Sequence, residues 1–173
     1  MIGVKKHSIR FRKSLEESIP EVVPRFEVQI WQGTLRFLLE KIKPTNLSEF
    51  PTAPLDGEYY FATQRNLLLH RAQCLKNQRS EYVVSGPWTA ERFRGYHTAP
   101  AVLVYMMRRL KSEHVKELYY STAGWNLASQ RCALRAGFQV EKISYEYYAF
   151  GRRLRFRSWV KSFCEKTFRR GGR

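Results

Sequence analysis

The hydrophobic period switches repeatedly between two and 3.6 along most of this chain, and that succession limits its fold more than any other feature. Residues 25–30 put Phe26, Val28 and Ile30 on one side and Arg25, Glu27 and Gln29 on the other, the signature of a half-buried strand. From Thr34 the spacing changes. Leu35, Leu38, Leu39 and Ile42 form the apolar stripe of a helix, which Pro44 closes because it has no amide to continue the ladder. Strand-type runs follow over 58–63 and 67–75, joined by the short polar Gln64-Arg65-Asn66 of an antiparallel hairpin, and a third covers 81–89. Ala99, Val102, Leu103, Met106 and Leu110 trace a second helix, with Arg108, Arg109 and Lys111 in its last turn, where cations suit the helix dipole. A strand over 115–122 leads to Asn126, a residue suited to cap a helix reaching Ala136, and Gly137 ends it. Residues 138–150 form the last strand expected. The order β-α-β-β-β-α-β-α-β predicts an α/β chain built on a mixed, mostly antiparallel central sheet with helices on both faces.

At 173 residues the chain has material for one domain, and 43% hydrophobic content excludes disorder for its bulk. No apolar stretch is long enough to span a membrane, and the opening residues Met1 to His7 lack the apolar run of a secretory signal. Cys74, Cys132 and Cys164 are odd in number and far apart, which argues against a disulfide framework and predicts reduced thiols in a cytoplasmic protein. His7, His70, His97 and His114 show no metal-ligand spacing, so no metal is expected. The net charge of +16 is concentrated at the ends: five basic side chains and no acid in the first 13 residues, and nine against Glu165 alone in the last 24. Three regions follow from this: a basic segment over 1–24, a domain over 25–150 and a basic extension over 151–173. Such ends suit weak contact with nucleic acid or an anionic lipid surface. From Trp159 to Arg170 the pattern fits a short amphipathic helix, either docked at the inner face of a membrane or, as we favour, packed on the domain's own sheet. For Trp88, Trp125 and Trp159, core packing is favoured over a role as stacking platforms.

Chemistry concentrates in two places. The first is Thr89-Ala90-Glu91-Arg92-Phe93-Arg94-Gly95-Tyr96-His97-Thr98-Ala99, a strand turning through a glycine into a helix. Amides left unpaired at a helix N-terminus converge there with the positive end of the dipole, a combination that can hold a pyrophosphate. The second is Asn126-Leu127-Ala128-Ser129-Gln130, followed by Ala136-Gly137-Phe138. Together with the order of elements, these motifs resemble the GCN5-related N-acetyltransferase superfamily, over about residues 25–150. They look most like its bacterial branch associated with polysaccharide biosynthesis.

The resemblance implies an acyl-CoA N-acyltransferase fold and acetyl-CoA, or another acyl-CoA, as cosubstrate. It places the coenzyme pyrophosphate on the backbone of Arg94, Gly95, Tyr96, His97, Thr98 and Ala99. It also places the pantetheine arm between strands splayed so that Pro87, Trp88 and Thr89 face Ser121 and Thr122, with Asn126 and Ser129 as polar contacts. Read without the resemblance, Asn126 is a helix cap and Ser129 a small packing residue. Two positions depart from the family pattern. His97 stands where a second small residue is usual; its bulk either closes the turn, changes the backbone angle or adds a donor for the phosphate. Ala133 stands where many members carry the tyrosine that protonates the leaving thiolate.

Acyl transfer to an amine needs a base for the amine and an acid for the thiolate. The candidate bases are Glu91, His70, His97 and Glu146, and the candidate acids Tyr147 and Tyr148. The branch resemblance favours a primary amine on an amino sugar or polysaccharide precursor over one on a protein. The loop from Pro44 to Gly57 is the expected place for acceptor recognition. The alternative is a fold relative without turnover, a binding module whose basic ends hold nucleic acid or anionic lipid.

Overall fold

The computed structural model describes residues 3–50, 57–149 and 152–159, with backbone alone at 3–6, 47, 146–149 and 152–159. Its eight strands are β1 (Gly3–Ser14), β2 (Gln29–Thr34), β3 (Glu58–Gln64), β4 (Leu67–Lys76), β5 (Tyr82–Thr89), β6 (Glu117–Ala123), β7 (Gln139–Ala149) and β8 (Arg152–Trp159). They form one sheet in the order β2-β3-β4-β5-β6-β1-β7-β8. Neighbours are antiparallel except β5 and β6. A parallel pair needs a crossover, and helix α2 (Thr98–Ser112) supplies it. The other α-helices among the described residues are α1 (Leu35–Lys41) and α3 (Leu127–Arg135).

Local sequence explains the helix ends. Thr34 caps α1 by accepting from the Phe37 amide at 3.1 Å, and Asn126 caps α3 by accepting from the Ser129 amide at 3.0 Å. Gly137 follows α3 with φ +87°, a left-handed conformation that glycine adopts without strain. The period-two strands separate two apolar layers. Tyr60 and Ala62 of β3 join the main core with Met106 of α2, Ala133 of α3 and Phe11 of β1. Tyr59 and Phe61 pack on the other face with Leu35 and Leu38 of α1. Helices therefore cover both faces, since successive strand residues point to opposite sides.

The ends differ most from the sequence reading. Residues 3–14, set apart above within the basic segment over 1–24, form β1, a strand between β6 and β7 near the middle of the sheet. Ile9, Phe11 and Leu15 are buried, while Arg10 and Arg12 face the other side. Arg10 stacks 4.1 Å from the centre of the Tyr119 ring and bridges Glu81 at 2.9 Å and Glu141 at 2.7 Å. At the other end, Arg152–Trp159 pairs with β7 as an edge strand. Residues 160–173, which hold the rest of the expected amphipathic helix and the basic tail, lie outside the described residues. No helix among the described residues is long and apolar enough to cross a membrane.

The strand expected over 25–30 begins four residues later. Its pairing with β3 starts at Gln29. Residues 25–28 keep the alternating exposure, with Phe26 and Val28 half-buried, but run outside the sheet against the loop that leads into α2.

Candidate functional site

The parallel ladder between β5 and β6 is short. It joins Tyr82 to Leu118, Val83 to Tyr119 and Val84 to Tyr120, and then ends. Beyond Val84, β5 stays with β4 and β6 stays with β1, so the two strands part. The cause is local: the β4–β5 register shifts between Arg71 and Gln73, and Gly86, with φ +54°, lies in the extra length of β5. Such a bulge bends its strand. Pro87 follows with no amide to donate. The sheet therefore opens along the stretch from Ser85 to Thr89 on one side and from Ser121 to Ala123 on the other.

At the same end, a 3-10 turn over Glu91–Phe93 leads through Arg94, Gly95 and Tyr96 to His97, the N-cap of α2. Among the described residues no hydrogen-bond acceptor meets the amides of Gly95, Tyr96, His97, Thr98 or Ala99. The helix has no side-chain cap. Gly95 has φ +83°, and a Cβ built there meets nothing within 4 Å. Thr98 is 1% exposed and its hydroxyl has no partner. Donors, dipole and open space coincide at one spot, as an anion site requires. His97 adopts φ +65°, ψ 10°, so it takes the glycine-like angle that the sequence left open, at a cost of about 1 kcal/mol. Its ring lies beside the Val23 carbonyl. Burial, together with Arg135 and Arg25, holds its pKa below the usual value.

Asn126 and Ser129 lie on the opposite strand's side of the opening, at the start of α3. Asn126 Oδ1 caps the helix, and the Ser129 hydroxyl is hydrogen-bonded to that of Tyr120. Burial raises the Tyr120 pKa to about 12, so this hydroxyl stays protonated. Tyr120 escaped the sequence reading because an aromatic in a strand looks like core, which it also is.

The opening has two different faces. Trp88 and Thr89 are consecutive strand residues and point to opposite sides. Thr89 is on the α2 side, where His70 Nδ1 meets its hydroxyl at 2.7 Å. Trp88 is on the α1 side, with its ring 4.9 Å from Phe50. Phe50 belongs to the loop expected to recognise the acceptor, and Asn46 ties that loop to the backbone of Leu68 through bonds of 2.8 and 3.0 Å. Residues 51–56 of the loop lie outside the described residues. Arg71, itself buried, stacks 4.6 Å from Phe50 and 5.4 Å from Tyr59. Trp125 is 71% exposed, contrary to the packing expected of it.

The candidate acids and bases do not gather. Glu91 stands on the surface, its side chain 88% exposed and 3.7 Å from Arg94, an arrangement worth little in stability. His70 is buried, and its Nε2 has no partner. Desolvation, then the Arg71 charge, push its pKa down to about 3, which leaves it neutral. Glu146, Tyr147 and Tyr148 are placed on β7 opposite Lys5, Val4 and Gly3 by backbone register; their side chains lie outside the described residues. No metal-binding group of side chains occurs among the described residues.

No family model and no curated protein matches the sequence. Solved structures do match in fold. An acetyltransferase of the GNAT family from Colwellia psychrerythraea aligns with TM-score 0.57 at 18% identity, over 90% of this chain and 57% of that one. A GCN5-related N-acetyltransferase from Sphaerobacter thermophilus aligns with TM-score 0.61 at 13% identity, over 93% of this chain and 55% of that one. Another from Kribbella flavida gives TM-score 0.54 at 11% identity, over 84% and 58%. This chain spans little more than half the length of these proteins. It shares with them the mixed α/β fold of the GNAT acyl-CoA N-acyltransferases.

Proposed function

We propose that this protein transfers an acyl group from an acyl-CoA thioester to a primary amine, with an amino sugar or polysaccharide precursor as the acceptor class. The observation that carries the reading is the coincidence of an opened sheet with an uncapped, glycine-containing helix start at the same end. The amides of residues 95–99 suit the coenzyme's pyrophosphate, and the opening is where its arm would lie. When bound, the coenzyme supplies the activated acyl group. The chain's own part is alignment, along with backbone amides on the free edge of β5 beyond Val84 to polarise the thioester carbonyl. Because the opening joins the α2 face to the face bearing Trp88 and Phe50, the acceptor would approach from the side opposite the phosphates.

The test is calorimetric titration with acetyl-CoA at about 0.3 M salt, where nonspecific attraction between a basic protein and any polyphosphate is screened. Saturable binding of acetyl-CoA, with none of ATP at equal concentration, is the expected result. Equal weak binding of both would overturn the reading in favour of a polyanion-binding module.

Gly95→Val gives a second check. With no neighbour within 4 Å of the new Cβ, the change acts through φ, costing about 1–2 kcal/mol of stability or turning the loop out of its conformation. Acetyl-CoA binding is expected to weaken by about 10-fold or more. An unchanged dissociation constant would exclude this loop as the phosphate site.

A further inference from the structure

The segment between β1 and β2 must travel from the middle of the sheet to its far edge, and its path leads past the start of α2. The Leu15 amide bonds the Lys116 carbonyl at 2.8 Å, and Lys111 Nζ donates to the Glu17 carbonyl at 3.2 Å. Pro20 then packs so closely on Gly137 that a Cβ there would lie 2.9 Å from it. Next the Arg25 amide donates to the Tyr96 carbonyl at 3.0 Å. The Phe26 ring meets those of Tyr96 and Phe93 at 5.3 and 5.8 Å. The His97 ring lies beside the Val23 carbonyl. Past this point, Gln64 Nε2 donates to the Glu27 carbonyl at 3.3 Å, and β2 begins.

These contacts act on one peptide plane. No peptide bond here is cis, so the carbonyl of Tyr96 and the amide of His97 point in opposite directions. With the carbonyl held by Arg25, the His97 amide points away from the strap and joins the unpartnered donors of the loop. The imidazole, on the strap's side, leaves the space beside Gly95 open. A histidine in the left-handed region persists where its surroundings over-determine it, and here two contacts from one segment do so.

We infer that residues 20–28 are a clamp for the anion-binding loop, with His97 and Arg25 as positioning residues that set the Tyr96–His97 peptide plane. The link from clamp to coenzyme affinity rests on the acyltransferase reading; the clamp itself does not. His97→Gly keeps the backbone angle and removes the side chain beside the strap, whereas His97→Asn keeps both a residue tolerant of positive φ and a polar side chain on that side.

The experiment measures hydrogen exchange at the Arg25 amide and acetyl-CoA affinity in the parent protein and both variants. In His97→Gly, exchange at Arg25 is expected to quicken and affinity to fall about 3- to 10-fold, the range expected for loss of one hydrogen bond. His97→Asn is expected to restore both, which a general loss of stability would not do. Unchanged exchange in His97→Gly overturns the clamp, as does affinity equal to or above the parent's. If the parent fails to bind acetyl-CoA, the acyltransferase reading falls, and exchange at Arg25 decides the clamp by itself.

Discussion

Phe11→Ala is expected to cost about 3–5 kcal/mol of folding stability, the usual range for emptying a buried phenylalanine site. Phe11 is 1% exposed, and its ring lies 6.3 Å from that of Tyr120, edge to face. Its strand is flanked on both sides, so neighbouring backbone cannot readily collapse into the cavity. Arg12→Ala, one residue along on the opposite side, removes only a 3.4 Å pair with Glu117 between side chains 51% and 41% exposed, and should cost less than about 1 kcal/mol. Denaturant titration of the two variants checks the pair. Equal and small losses would mean that residues 3–14 do not form a central strand.

The second large effect is a loss of stability in acid. His70 has an ordinary pKa of 6.5 and is held down to about 3 in the fold, first by burial and then by the Arg71 charge. Below pH 6.5 the unfolded chain therefore takes up a proton that the folded one refuses, and stability falls as pH falls until about 3. One such proton changes stability by about 1.4 kcal/mol per pH unit. Between pH 6.5 and 4.5 the loss should reach about 2–3 kcal/mol. Glu81, whose pKa is lowered first by its bond from Asn77 and then by that from Arg10, adds loss of the same sign at lower pH. His70→Gln separates the two. It should leave the fold less stable near neutrality, since the bond to Thr89 changes, while flattening the dependence over this window. Parallel profiles for parent and variant would show that His70 is not the proton-linked group.

Much of the local geometry at the candidate site was legible because it depends on neighbours in sequence. Asn126 caps α3 and Gly137 ends it, each through contacts or conformations within a few residues. The strands and helices from Leu35 to Phe138 could be placed for the same reason: their periodicity reflects one buried side. The conformation of His97 was not legible. Its turn had more than one outcome, and the segment that selects among them lies about 70 residues earlier.

β1 shows where the limit falls. Ile9 and Phe11 alternate with Arg10 and Arg12, the same period-two pattern that marks the other strands, yet five cations in 13 residues equally describe a solvated tail. A strand's place is decided by the partners that satisfy its backbone groups, and those of β1 lie more than 100 residues away, on β6 and β7. Local periodicity, caps and glycine positions were enough for the fold class and for the loop that would hold an anion. The place of β1 in the sheet, the parting of β5 from β6, and the clamp over α2 arose only from long-range pairing, because each depends on hydrogen bonds between segments that the local pattern does not connect.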